Sequence, residues 1–214
     1  MNKKVNEMMI IALLSALAFV VVATLKIPTF VPFLSYEPKD VIITTGGFLM
    51  GPLSVFFMSV VVSFIEMITI SSTGPIGFIM NVLSTCAFAG VAAWIYSKKR
   101  TYLGAIQGLI AGVLMMTVIM IMWNYLITPI YLKIPREAVV DMILPYFLPF
   151  NLMKGAINTV IILMVYHSVF LPLFKRFNFV EGAKDNKKSE ITMLVGIFVL
   201  VTVVLFVFVL VRTL

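Results

Sequence analysis

Of the 214 residues, 62% are hydrophobic and only 12% charged, against roughly 45–50% and about 25% in soluble domains, which excludes an ordinary soluble domain. The net charge of +7 does not indicate nucleic acid, because the basic residues sit between apolar runs, where Lys and Arg anchor membrane segments, and no base-stacking platform stands apart from them. The single cysteine, Cys86, excludes an intrachain disulfide.

Lipid offers no partner to backbone N–H and C=O groups, so long apolar runs must be helices, and the alternation of a membrane β-barrel is absent. The fold class is therefore all-α, a polytopic membrane helical bundle. In chain order the first run is Met8–Leu25. It follows Lys3-Lys4 as a signal peptide would, but Pro28 and Pro32 come next instead of a small-residue cleavage site, so a retained helix is expected. Lys26–Asp40, with Pro28, Pro32 and Pro38, is expected to be an extended outer loop.

The second run, Val41–Ile70, is about 30 residues long, whereas one crossing needs about 20. Charge decides how often it crosses. Two crossings that turn at Gly51-Pro52 place Lys3, Lys4, Lys98, Lys99, Arg100 and the cluster Lys175–Lys188 on one side, the cytoplasm. A single crossing would put the two richest clusters outside, against the bias of basic residues toward the cytoplasm. Two crossings are expected, the first of them short. Ile76–Tyr96, Tyr102–Ile127 and Tyr146–Phe170 follow as single crossings, with Thr128–Pro145 as a second outer loop. Asn178–Glu190 reads as a polar cytoplasmic linker, and Ile191–Val211 as a further crossing that leaves Arg212 outside. The units are a membrane core (1–177), a linker (178–190) and an additional transmembrane helix (191–214), with no internal repeat.

Polar side chains at membrane depth are costly, and here they are Glu66, Asn81, Asn124, Asn151, Lys154, Asn158 and His167. In this topology Glu66, Asn124, Asn151 and Lys154 fall in the outer halves of their helices, with Tyr36, Lys39 and Asp40 just beyond. They converge on one level that could hold a small molecule with a polar edge. Asn151, Lys154 and Asn158 recur at i, i+3 and i+7 and share one helix face. A donor-only Lys beside donor–acceptor Asn side chains suits a ligand edge of carbonyl and imide groups. Snorkelling by Lys154 and interhelical bridging by the asparagines is the other account of the same pattern. Glu66 is expected to pair with a basic residue or cap a polar cluster, Asn81 to bridge helices, and His167 to be interfacial.

Small residues one turn apart let helix backbones approach closely. Gly104, Gly108 and Gly112 are expected to pack within the protein. Ala12 and Ala16, with Ser15 beside them, fit either internal packing or an external helical partner. Metal-ligand spacing, a phosphate-cradling loop and a nucleophile elbow are all missing from the sequence, so no enzyme and no cofactor are expected.

The segments Tyr36-Glu37-Pro38-Lys39-Asp40, Gly46-Gly47-Phe48, Gly51-Pro52, Glu66, Thr73-Gly74, Met80-Asn81, Asn124-Tyr125, Thr128-Pro129 and Pro149-Phe150-Asn151 through Lys154-Gly155 carry a resemblance. Together, in collinear order over roughly Val5 to Phe177, they resemble the riboflavin-specific S-component of energy-coupling factor (ECF) transporters. The resemblance implies a six-helix core with both ends cytoplasmic, to which Ile191–Val211 would add a seventh crossing. It implies riboflavin bound near the outer surface of a cell-membrane protein, with Asn124, Asn151 and Lys154 on the polar edge of the flavin ring. Tyr36, Lys39, Asp40, Glu66, Asn81 and Thr128 complete the implied ligand-binding set. Ala12, Ser15 and Ala16 would face a transmembrane coupling protein that joins two cytoplasmic ATPase subunits. Two alternatives stay open here: an S-component for another vitamin, and a membrane-embedded enzyme using Glu66 or Asp40 as acid or base.

Overall fold

The computed structural model describes residues 3–28 and 34–166. His167, the linker and the last apolar run lie outside the described residues. Helix α1 is Lys3–Thr24, followed by two short antiparallel strands, β1 (Ile27–Pro28) and β2 (Ser35–Tyr36), in which Ile27 faces Tyr36. Next come α2 (Lys39–Met50), α3 (Pro52–Thr69), α4 (Gly74–Thr85) and α5 (Val91–Lys99), then α6 (Tyr102–Leu132), α7 (Arg136–Met142) and α8 (Leu148–Val165). π-helical turns at Cys86–Gly90 and Ile143–Phe147 join α4 to α5 and α7 to α8, so the described residues form six continuous rods. Five rods are long and apolar enough to cross a membrane; α2, at 12 residues, is not.

The break inside the second apolar run falls at the expected place. Gly51 adopts φ 94° and ψ 177°, a region essentially closed to residues with a Cβ, and Pro52 opens α3 with its fixed φ. Two expectations are corrected. Lys39 and Asp40 are not loop residues: Pro38 caps α2, and both occupy its first turn, buried. Thr128–Pro145 is mostly helix. Membrane helices tolerate proline because freed backbone groups are satisfied nearby, so α6 continues through Pro129 and ends only where Lys133 turns left-handed (φ 55°). Pro135 then caps α7.

The bundle is apolar without, and within its apolar core it buries a set of polar and charged side chains. Leu13, Leu53, Trp94, Leu103, Leu114 and Met122 are more than half exposed, while Glu66, Asn124, Asn151, Lys154 and Asn158 are buried. The helix α6 is central, packing on α5 and α8, whereas α1 packs chiefly on α2 and α3 and leaves much of its surface uncovered. The packing of α6 on α5 and on the π-turn before it is backbone-close: a Cβ on Gly108 would lie 2.7 Å from the Ala92 carbonyl oxygen, and one on Gly112 would collide with that of Phe88. The glycine series therefore packs internally. At the end of α5, Tyr96, Tyr102 and Tyr166 interlock, with a 2.9 Å hydrogen bond between the Tyr96 and Tyr166 hydroxyls.

Candidate functional site

A cavity of about 460 Å³ opens among the strand segment before α2, the α3–α4 turn, and helices α3, α4, α6 and α8. Six of the nine residues expected to bind a ligand line it: Glu66, Asn81, Asn124, Thr128, Asn151 and Lys154. The other three do not. Tyr36, Lys39 and Asp40 are buried behind the wall; Lys39 and Asp40 hold residues that line it, and Tyr36 holds Asn158 behind it.

The asparagines are fixed by their own helices. Asn124 Nδ2 donates to Met120 O (2.7 Å) and its Oδ1 accepts from Thr128 Oγ1 (3.0 Å). Asn151 Nδ2 donates to Phe147 O (2.7 Å). Such bonds to the carbonyl four residues back set the plane of each amide. The Phe147 carbonyl owes its place to the π-turn. Pro145 and Pro149 remove two N–H groups, and the Leu148 N–H reaches back five residues to Ile143 O.

A chain of buried charge stands behind and beside these amides. Lys39 Nζ contacts Glu66 Oε2 and lies 2.9 Å from Glu37 Oε2, and the exposed Lys26 closes on Glu37 Oε1 at 3.2 Å. Asn81 Nδ2 donates to Glu66 Oε2 at 3.1 Å, so Glu66 pairs with a base and Asn81 bridges helices, as expected. Asp40 accepts from Thr85 Oγ1 (2.7 Å) and lies 3.1 Å from Lys154 Nζ through its other oxygen. Lys154 therefore does not snorkel outward. Buried charges must be paired in this way, since removing one partner leaves an uncompensated ion in a poor solvent. Burial alone would raise the Glu37 carboxyl, but Lys39, then Lys154 and Lys26, hold it down at about 2. Burial, with the Asp40 charge nearby, raises the Tyr36 hydroxyl. That hydroxyl donates to Asn158 Oδ1 at 2.7 Å, which places Asn158 in the support rather than on the wall.

Sequence reasoning missed the rest of the lining. Ile76, Met80, Met120, Trp123, Ile127 and Phe150 supply the apolar surface, and Ser71, Ser72 and Thr73 supply hydroxyls at the α3–α4 turn. Apolar side chains are abundant throughout the chain, so only their neighbours marked any of these: Thr73, Met80 and Phe150 lie in segments that carry the resemblance, and Trp123 directly precedes Asn124. The arrangement suits a flat, largely apolar guest with one edge of hydrogen-bonding groups, and the volume falls within the range of small-molecule sites, about 300–1,000 Å³. Among the described residues no cluster of His, Cys, Asp and Glu could hold a metal.

On α1, Ala12 and Ala16 are exposed, whereas Ser15 is turned inward with 2% of its surface accessible. Ser15 therefore cannot touch a partner on the face that Ala12 and Ala16 present.

Residues 6–166 match the family described as "ECF transporter, substrate-specific component". The chain is 29% identical over 174 residues to the riboflavin transporter RibU of Staphylococcus aureus (strain TCH60), which covers 78% of this chain and 92% of that protein. It is 25% identical over 173 residues to the riboflavin transporter FmnP of Bacillus subtilis (strain 168), covering 76% and 91%. The solved structure described as "Structure and mechanism of the S component of a bacterial ECF transporter" superposes with a TM-score of 0.68 at 28% identity, covering 80% of this chain and 99% of that one.

Proposed function

From the premise that this chain belongs to the substrate-specific components of ECF transporters, we propose that it captures riboflavin at the outer membrane face and delivers it as the specificity subunit of such a transporter. The observation that carries this reading is the cavity itself. Trp123 and Phe150 offer flat apolar walls, while Asn124, Asn151 and Lys154 gather hydrogen-bonding groups along it. The flavin ring is a large apolar plate with two carbonyls around an N–H on one edge, so amides and an ammonium are its natural complement. Two proteins similar to this chain are named riboflavin transporters, which favours this vitamin over others. Members of this family are transporter components, not enzymes, and Glu66 and Asp40 are engaged in ion pairs rather than poised as acid or base.

The energy source is a pair of cytoplasmic ATPases joined by a transmembrane coupling protein, and the coupling protein docks on the exposed Ala12–Ala16 face of α1. The N-terminus is cytoplasmic in the cell membrane, and Lys98–Arg100 lies on the same side.

Titration of the detergent-purified protein into riboflavin tests the central claim. Saturable quenching of flavin fluorescence at one equivalent is the expected result, with no competition from an unrelated vitamin such as biotin. Unchanged fluorescence at micromolar protein would overturn it.

A further inference from the structure

We propose that Thr85, which does not touch the cavity, is a positioning residue for the flavin: it fixes the carboxylate of Asp40 and, through it, the ammonium of Lys154 on the cavity wall. The proposal rests on the riboflavin reading above.

The relay crosses three helices. Thr85 ends α4 and is 1% exposed, Asp40 lies in the first turn of α2 at 0%, and Lys154 is on α8. Thr85 Oγ1 donates to Asp40 Oδ1 at 2.7 Å, and Asp40 Oδ2 lies 3.1 Å from Lys154 Nζ. The two carboxylate oxygens thus face two different partners, Oδ1 through a hydrogen bond and Oδ2 through charge alone. Only Lys154 of the three reaches the cavity.

Most other helical threonines behave differently, Thr128, which bonds the Asn124 side chain, and Thr159 excepted. In their helices Thr24, Thr44, Thr45, Thr69 and Thr117 turn their hydroxyls to the carbonyl four residues back, the cheapest local partner. Thr85 instead reaches across to Asp40. Its branched Cβ keeps few χ1 states, so the hydroxyl is a stiff anchor. The carboxylate torsion of Asp40 is intrinsically broad and needs such an anchor. Lys154 has the opposite character, a flexible four-carbon stem with three rotatable donors, and it acquires a direction only from what it faces. Fixing Asp40 therefore fixes the donor offered to the ligand edge.

The test compares wild type, Thr85→Val, Thr85→Ser, Lys154→Met and the double variant Thr85→Val/Lys154→Met by riboflavin titration, and by thermal unfolding without ligand. A hydrogen bond to a charged group corresponds to about tenfold in affinity, so Thr85→Val should bind roughly tenfold more weakly. Thr85→Ser, which keeps the hydroxyl, should stay within about threefold. In the Lys154→Met background Thr85→Val should weaken binding no further, because the group it positions is gone. Without ligand, the two shifts in unfolding midpoint should fail to add. Wild-type affinity in Thr85→Val, no rescue by Ser, or strictly additive effects would each overturn the relay. If the wild type itself does not bind riboflavin, the functional reading fails, and the ligand-free midpoints still decide the relay: additive shifts reject it and non-additive shifts sustain it.

Discussion

The hydroxyl of Tyr36 and the side-chain carbonyl of Asn158 meet at 2.7 Å, although 122 positions separate them in the chain. The bond ties the strand before α2 to the middle of α8, beneath the cavity. Asn158 is fully buried, and its Nδ2 has no partner among the described residues, so this is the amide's one compensation for leaving water.

Tyr36→Phe should therefore destabilise the protein by about 1–3 kcal/mol, the cost of leaving a buried polar group unsatisfied. Replacing both partners, Tyr36→Phe with Asn158→Leu, should recover part of that loss, because no orphaned amide remains. Thermal unfolding midpoints in detergent check both statements.

Acid should weaken the fold through Glu37. Its folded carboxyl is held at about 2, below the ordinary 4.5, so its stabilisation is complete above about pH 4.5 and disappears as the pH falls through about 2. The unfolding midpoint should drop across that window in the wild type. In Glu37→Gln the midpoint should be lower at neutral pH and should fall less steeply across the window. Parallel curves for the two proteins would show that Glu37 does not carry the acid sensitivity.

Removing a ligand-edge group leaves carbonyl or N–H groups of the flavin unpaired. Asn151→Ala and Lys154→Ala should each weaken riboflavin roughly 10- to 100-fold, and Lys154→Met should fall in the same range. Lys154→Ala should also lower the unfolding midpoint, since Asp40 loses its counter-ion 3.1 Å away. Lys98, stacked over Trp94 at 3.7 Å and absent from the cavity lining, provides the control: Lys98→Ala should bind as wild type. Fluorescence titration reports all four variants.

On the α1 face, Ala16→Trp should leave riboflavin affinity near wild type while uptake by cells carrying the coupling module collapses. Close approach of a second helix requires small residues there. Persisting uptake would remove this face from the docking surface, and a loss of affinity in the isolated subunit would point to disturbed packing instead.

The sequence made the helices legible because their cause is local. Backbone groups in lipid have no other solution, and Gly51-Pro52 marks a break that no other residue pair would make as readily. The loop at Thr128–Pro145 was misjudged because its charged residues suggest a solvated connection, whereas α6 runs through Pro129 and Arg136, Glu137 and Asp141 sit on the short helix α7. Polar residues at depth were legible as a group, since Glu66, Asn81, Asn124, Asn151 and Lys154 all reach one cavity. What each one does was not. Whether Lys154 faces solvent, a ligand or Asp40 depends on where α2 begins, and Lys39 and Asp40 support the wall because Pro38 starts that helix two residues before Val41. Thr85 was silent, being an ordinary residue whose role comes only from its neighbours.

The brevity of α2 has a consequence for the depth at which a guest is held. Twelve residues rise about 18 Å, against a hydrocarbon layer of about 30 Å. With Gly51 level with one boundary of that layer, the first turn of α2 stops roughly 12 Å short of the other. On that placement the cavity, which Leu34, Ser35 and Glu37 line directly ahead of that turn, would fall in the thickness α2 leaves unfilled. A bound molecule would thus sit inside the oily slab rather than upon it, where water competes little for its hydrogen-bonding edge and each donor counts for more than it would at a surface.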